Sequence, residues 1–472
     1  MKKKREMSLF LACLPILVVI FMALMSVTTW KAAMHTPLMA SVITAVLIGL
    51  YMGYSWNELE DGLVAGVARA LPAIFILMIV GTIIGSWIIS GAIPALIYYG
   101  LNIINPSIFV PAAALVTGIV SISTGTSFTS IGTIGLALMV MGEGLGFPAH
   151  LTAGAVISGA YFGDKLSPLS DTTNLAPAVS GCTLFEHIGH MLYDTIPAFI
   201  VASVLYYFIG LQYVSSAATE MASVIAINEG LTESFFIHPI LLVLPVITIA
   251  LAIKKVPAIP ALTIVSILGG LFAVVFQQAD IGQILRAMTF GFTAETGVAQ
   301  ADNLLSRGGI TSMGGTIILL SIATALGGVL EKTGALETIL NAIMKKVKNT
   351  GHLLLSTLLS GLAIAFATGA QLLAIVLPAR MFVPAYKERG LHVKNLSRAA
   401  EAAGTVGINL VPWSVPAVFA YNVLGVNPIH FIPYIFFAHF VILFNAIYGY
   451  TGISIAKEST SIPPSSGKGA SV

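Results

Sequence analysis

Gly163-Asp-Lys-Leu-Ser-Pro-Leu-Ser-Asp-Thr-Thr-Asn174 sets three charges and a run of hydroxyl and amide side chains inside a chain otherwise nearly free of both. Apolar runs border it closely, Leu151 to Phe162 before and Leu175 to Val179 after. An ionisable side chain at a bilayer centre costs roughly 2.5–3.5 kcal/mol on insertion scales, so Asp164, Lys165 and Asp171 need mutual pairing, water or a bound ion there. A loop at the membrane surface would carry the same residues without that cost. Pro168 removes a backbone donor and stops a helix, and Gly163 and Gly181 loosen the two ends. Together these features predict a broken transmembrane helix.

Composition points the same way. Hydrophobic residues are 57% and charged residues 9% of the 472, against roughly 25% charged in ordinary soluble domains, which predicts an all-α polytopic membrane protein. A net charge of +2, with Lys and Arg in short clusters between apolar runs, gives no basis for a nucleic-acid partner. Only Cys13 and Cys182 are present, so neither a disulfide framework nor a thiolate metal site is expected. There is no Gly-x-x-x-x-Gly-Lys-Ser/Thr loop and no His-Glu-x-x-His pair. We therefore expect no enzyme activity and no cofactor, and any uphill transport must draw on an ion gradient. Lys2, Lys3, Lys4 and Arg5 precede an apolar run from Ser8 to Thr29, longer than the ~7–15 residues of a cleavable signal. It predicts a retained first helix with its N-terminus inside.

Spans are expected near 8–29, 36–54, 70–90, 196–214, 237–253, 258–276, 312–331 and 432–454, with a hairpin and a broken helix in each of the regions 106–183 and 351–426. Lys254 and Lys255, Lys345, Lys346 and Lys348, Lys387, Arg389 and Lys394, and Lys457 then all fall on the cytoplasmic side, with both termini, as the positive-inside rule asks. The acidic stretch from Val214 to Phe236 falls outside. Asn57 to Asp61 must be an inside loop although it is acidic, and acidic residues count little in this rule.

A shift of 244 positions aligns Thr124-Gly125 with Thr368-Gly369, Gly163 with Gly407, Pro168 with Pro412, Ser170 with Ser414 and Gly181 with Gly425. Loops 91–105 and 142–149 have no Lys or Arg, whereas their partners 334–350 and 386–394 have three each. Opposite charge bias and five expected crossings between equivalent points predict two inverted repeats, the plan of many secondary transporters. The expected organisation is N-terminal helices at 1–60, a first repeat at 61–214, a connecting segment at 215–300, a second repeat at 301–456 and a disordered cytoplasmic tail at 457–472.

Unwound backbone frees carbonyl oxygens, and Ser167, Ser170, Thr172, Thr173 and Asn174 add neutral oxygens to the carboxylates of Asp164 and Asp171. Such a set suits a hard cation such as Na+. A carboxylate there holds either a proton or a cation, and exclusive occupancy alone gives antiport. Lys165 is the expected charge partner. The second break carries Asn409, Pro412, Trp413 and Ser414 but no acid, with Glu401 about two turns upstream. These are candidates for neutral ligands and a gate, although a Trp beside Pro is equally plain packing. Thr124, Thr126 and Ser127, matched by Thr368 and Gln371, are expected at hairpin tips, facing the ion or bonding back to their own helices. Glu186, His187, His190 and Asp194 suggest a pH sensor, but a solvated interfacial segment is the preferred reading.

At these residues the chain resembles the NhaC family of bacterial Na+/H+ antiporters. The carrying motif is Gly163-Asp-Lys-Leu-Ser-Pro-Leu-Ser-Asp-Thr-Thr-Asn-Leu-Ala176, supported by Gly53-Tyr-Ser-Trp-Asn-Glu-Leu-Glu, Arg307-Gly-Gly-Ile-Thr-Ser-Met, Gly327-Gly-Val-Leu-Glu-Lys-Thr-Gly, Gly404-Thr-Val and Tyr448-Gly-Tyr-Thr-Gly. The resemblance implies a plasma-membrane antiporter of the ion-transporter superfamily type. It also brings in a malate/lactate exchanger driven by the same ions. Where that family commonly has Glu-Asp, this chain has Glu401-Ala402, and Ser414-Val415-Pro416 stands in place of Asn-Thr-Cys. Both departures bear on ion count and substrate.

The leading expectation is Na+/H+ antiport by competition at Asp164 and Asp171. The alternative is exchange of small carboxylates coupled to those ions, with Arg380 and Arg398 as carboxylate partners unless they are merely inside-facing charges. A passive channel ranks third. Oligomeric state stays open, a homodimer among the options.

Overall fold

The computed structural model describes residues 4–30, 34–103, 105–219, 221–254 and 256–458. Of the disordered tail expected at 457–472, residues from 459 onward lie outside the described residues, as do Glu220 and Lys255, whereas Lys457 bridges Leu391 and Glu458 N donates to the Gly390 carbonyl at 2.9 Å. Every regular element among the described residues is helical, apart from one isolated bridge between Leu391 and Lys457. This suits lipid, where each backbone N–H and C=O must find its partner inside the segment.

Among the described residues, six helices are long and apolar enough to cross a bilayer: Trp56–Ile89, Pro106–Thr124, Leu184–Val214, Ile259–Gln277, Ile310–Lys332 and Thr350–Thr368. Three further pairs cross only if each bent pair is one span. These are Ile225–Ser234 with Pro239–Thr248, Lys394–Leu410 with Val415–Leu424, and Pro428–Tyr434 with Phe436–Thr451, bent by 93°, 45° and 53°. The chain is a multi-pass membrane protein.

Two sequence expectations change. Asn57 to Asp61 is not a loop but the opening of a 34-residue helix, started by a capping box in which Ser55 and Glu58 satisfy each other's backbone N–H. The stretch from Val214 to Phe236 includes a helix, Met221–Ser234.

Small residues let the central helices touch at backbone distance. A Cβ on Gly159 would meet the Ala114 carbonyl at 2.0 Å, and one on Gly163 would meet that of Gly118 at 2.3 Å, which locks Ala149–Leu166 onto Phe109–Thr124. A Cβ on Gly328 would likewise meet the Gly62 carbonyl at 2.0 Å, fastening Gly314–Lys332 to Trp56–Ile89. Without a hydrophobic drive between helices in lipid, such close packing is a main source of association.

The same local devices recur 244 positions apart. Phe109–Thr124 ends on left-handed Gly125, and Thr350–Thr368 ends on left-handed Gly369. Ser170 caps Asp171–Ser180 and Ser414 caps Val415–Leu424, and these half-helices end on left-handed Gly181 and Gly425. Each hairpin tip rests on the break of its own half. A Cβ on Gly125 would strike Leu169 at 2.5 Å, and Val415 N donates to the Gly369 carbonyl at 3.0 Å.

Candidate functional site

The first break follows the chemistry of its sequence. Ala149–Leu166 stops because Ser167 turns extended ahead of Pro168, and its hydroxyl donates to the Ile122 carbonyl at 2.7 Å, tying the break to the first hairpin. Asn174 Nδ2 closes the turn on the Pro168 and Ser170 carbonyls at 2.8 and 2.7 Å. Asp164 is thereby held in the last turn of the helix, 4% exposed, at the inner end of a cavity of about 480 Å³. That cavity is walled by both hairpin tips, Thr124 to Thr126 and Ala370 to Gln371, and by Asp171 and Arg69.

The two acids differ in place. Asp164 is buried, and its Oδ1 makes no hydrogen bond among the described residues. Asp171 is an exposed wall residue whose Oδ1 accepts from Thr172 N at 3.1 Å. Ser127 and Ser170 lie beside the Asp164 carboxyl. Tyr161, one turn earlier, lies beside Ser127 and Asn409. Ser127 Oγ and Asn409 Oδ1 are also buried without a partner among the described residues, and so is Thr405 Oγ1. Asp164 and Tyr161 share Ser127, and Tyr161 links this pair to Asn409 of the second half. Their free atoms are all oxygens.

Other candidates are occupied. Thr172 pairs with Ser170 at 3.0 Å, and Thr173 Oγ1 lies 3.1 and 3.3 Å from the Asp164 and Lys165 carbonyls and 3.3 Å from Glu401 Oε1. Thr124 pairs with Ser130, and Thr368 donates to its own helix at Ile364. Thr126 and Gln371 face the cavity. In the second break, Asn409 Nδ2 donates to the Val406 carbonyl at 3.0 Å while its Oδ1 is left buried without a partner among the described residues, and Ser414 caps the following half-helix. Pro412 is part-buried. Trp413 donates to the Phe366 carbonyl at 2.9 Å and packs edge-on against that ring, so it fastens the break to the second hairpin.

Lys165 is not paired with either site carboxylate. Its Nζ reaches Asp194 at 2.6 Å, with both side chains fully buried. Asn445 and Thr195 also donate to Asp194, and Arg398 reaches Asn445 Oδ1 at 3.0 Å. Asp194 and Thr195 come from the Leu184–Thr219 helix, and of the four residues expected there in a solvated segment only Glu186 is solvated: His187, His190 and Asp194 are 0%, 5% and 0% exposed. Their spacing of three and four residues was the available signal of one buried face. Arg398 is buried in this cluster and Arg380 is exposed, and neither lines the cavity; Arg69 does. Its guanidinium pairs with Glu331 at 2.7 Å.

Residues 159–453 match the model of the Na+/H+ antiporter family. The Na(+)/H(+) antiporter NhaC of Alkalihalophilus pseudofirmus is 37% identical over 98% of this chain and 99% of its own. The malate-2H(+)/Na(+)-lactate antiporter of Bacillus subtilis is 38% identical over 88% of each chain. The arginine/ornithine antiporter ArcD of Halobacterium salinarum is 37% identical over 87% of this chain and 84% of its own. Relatives with different named cargoes therefore stand at nearly equal distance. Identity alone does not choose among the cargoes, but with matches that run almost end to end, the chain belongs to the NhaC family of Na+/H+ antiporters.

Proposed function

We propose that the protein exchanges Na+ for H+ across the plasma membrane, with both ions competing for Asp164 and with both termini cytoplasmic. The observation that carries this reading is that Asp164 Oδ1 and Ser127 Oγ, side by side, and Asn409 Oδ1, linked to them through Tyr161, are buried oxygens without partners among the described residues. Buried acceptors left unsatisfied cost about 1–3 kcal/mol each, and a hard cation bound by oxygen removes that cost. A proton on Asp164 relieves the carboxylate instead. The two solutions exclude each other.

The repeated devices support reading the two halves as inverted repeats. A second cavity, about 540 Å³ and lined by Glu143, Arg307 and Asn422, borders Val423 to Gly425, whereas the Asp164 cavity borders Val415. The cavities lie at opposite ends of one ten-residue half-helix. Rocking of that element suits alternating access.

A second reading, Na+-coupled exchange of a small carboxylate, is favoured by one observation. The Asp164 cavity is many times the roughly 30 Å³ share of a water molecule, and Arg69 lines it. One assay addresses both readings: proton flux in proteoliposomes under a fixed pH gradient, with sodium alone or with sodium plus malate or lactate. We expect sodium alone to release the gradient, and Asn409→Ala to raise the half-saturating sodium concentration about tenfold, the equivalent of one lost ligand at about 1.4 kcal/mol. A response that requires the carboxylate favours the second reading.

A further inference from the structure

We propose that Phe419 is the plug that keeps the two cavities apart and makes the exchange obligatory, with Phe128 and Val80 completing the seal. The inference rests on the antiport reading and adds to it the residues that prevent leakage.

Three helices run past both cavities, and each places an apolar side chain between them. In Trp56–Ile89, Ile76 lines the Asp164 cavity and Ile84 lines the second one, with Val80 midway and fully buried. In Val415–Leu424, Val415 lines the first and Asn422 to Leu424 line the second, with Phe419 midway and 1% exposed. Along Gly314–Lys332, Thr324 lines the first and Met313, just ahead of the helix, lines the second, with Leu320 buried between them. No residue lines both cavities among the described residues. The steps from Ile76 to Ile84 and from Val415 to Asn422 correspond to about 10–12 Å at 1.5 Å per residue. The partition is thin.

Its side chains close on one another. A Cβ on Gly132, in the π-helical turn Ile131–Gly135, would meet Val80 at 3.3 Å and the tip of the Phe419 ring at 3.7 Å, so this glycine rests against both. Phe128, which lines the Asp164 cavity, meets Phe419 edge-on with ring centroids 4.6 Å apart, an arrangement that aromatic pairs favour. Phe419 thus stands between the hairpin tip and the long Trp56–Ile89 helix. None of the sealing side chains carries a polar atom.

An apolar constriction of this kind empties of water and blocks ions, and a charge inside it would lack any partner to offset its desolvation. Asp164 lies on one side of the seal, at the inner end of its own cavity. An ion released from Asp164 therefore leaves by the cavity through which it came, unless Val415–Leu424 moves and carries Phe419 with it. That half-helix is bounded by extended Ser414 and left-handed Gly425. With the ring removed, the carboxylate would stand open to both cavities at once. A site open to both sides passes ions down their gradient and couples nothing.

The test is gradient retention without sodium. Full-length protein in proteoliposomes holds a fixed pH gradient, with equal potassium and valinomycin on both sides to clamp the voltage. Wild type is expected to stay tight until sodium is added, and Phe419→Ala to dissipate the gradient without sodium about tenfold faster than wild type or more. Phe382→Ala removes a fully buried ring that lines neither cavity, and it is expected to stay tight. A purely structural Phe419 would lower sodium-driven flux without opening a leak. Phe419→Ala as tight as wild type, or an equal leak from Phe382→Ala, would overturn the seal and leave antiport at Asp164 standing. A wild type that dissipates the gradient without sodium would overturn both. A wild type that stays tight even with sodium would contradict antiport, while the leak of the variants would still decide the seal. Should Phe419→Ala fail to fold, Phe128→Ala, whose ring is only part-buried at the cavity wall, decides by the same comparison.

Discussion

Asp164→Asn is expected to lower sodium-driven proton flux by about 100-fold or more, the equivalent of about 2.7 kcal/mol, whereas Asp171→Asn is expected to lower it only a few-fold. Both acids stand on the same cavity, and the difference follows from their surroundings. Asp164 is buried with an unpartnered oxygen beside Ser127 and near Tyr161 and Asn409. An amide at that position keeps the shape and one acceptor but can neither ionise nor carry the returning proton. Asp171 is exposed at the cavity wall, where its charge draws cations toward the inner end and is screened by water and salt. Initial rates in proteoliposomes across a range of sodium concentrations check this. Equal losses in the two variants would place the titrating group elsewhere.

The second large effect concerns stability. Removing either partner of the Lys165–Asp194 pair, by Lys165→Met or Asp194→Leu, is expected to cost about 3–5 kcal/mol, because each leaves a fully buried charge without its partner. The double variant is expected to recover a large part of that loss, since two apolar side chains leave no bare charge. Asn445 and Thr195 would still lose an acceptor at Asp194, so recovery should stop short of wild type. Thermal unfolding in detergent, run as a double-mutant cycle, measures the coupling directly. Were Lys165 instead the partner of Asp164, the single variants would alter sodium affinity and the double variant would not restore stability.

The parts of the fold that were legible in the sequence are those set by local backbone chemistry. Pro168 and the hydroxyls around it marked the first break, and Gly125 and Gly369 marked the hairpin tips through the left-handed conformation that they adopt. The opening of Trp56–Ile89 reads as a loop by hydropathy, because Glu58, Glu60 and Asp61 interrupt the apolar run, although the Ser55–Glu58 capping box that starts the helix is present in the sequence. Side-chain pairing was much less legible. Lys165 has Asp164 next to it and Asp171 six residues on, yet its partner is Asp194, 29 residues away on another helix. Such contacts depend on how helices cross, and that is set by close approaches such as Gly159 on Ala114 and Gly163 on Gly118. The proposed cation site shows both regimes. Asp164 could be read from its motif, while Tyr161 could not, because a single phenol in an apolar helix has no pattern of its own. Ala402 occupies the π-helical turn that follows Glu401, leaving Glu401 to His187 and Thr173.

Competition of sodium and protons for Asp164 is tested most directly by equilibrium binding of radioactive sodium to the purified protein as a function of pH. If the two ions exclude each other at one carboxylate, the apparent sodium affinity falls with acidification and approaches a tenfold loss per pH unit below the carboxylate's pKa, while the number of sites stays constant. Asp164→Asn then shows no saturable binding at any pH. Sodium affinity that stays flat across the same pH range, or saturable binding that survives in Asp164→Asn, would contradict the mechanism.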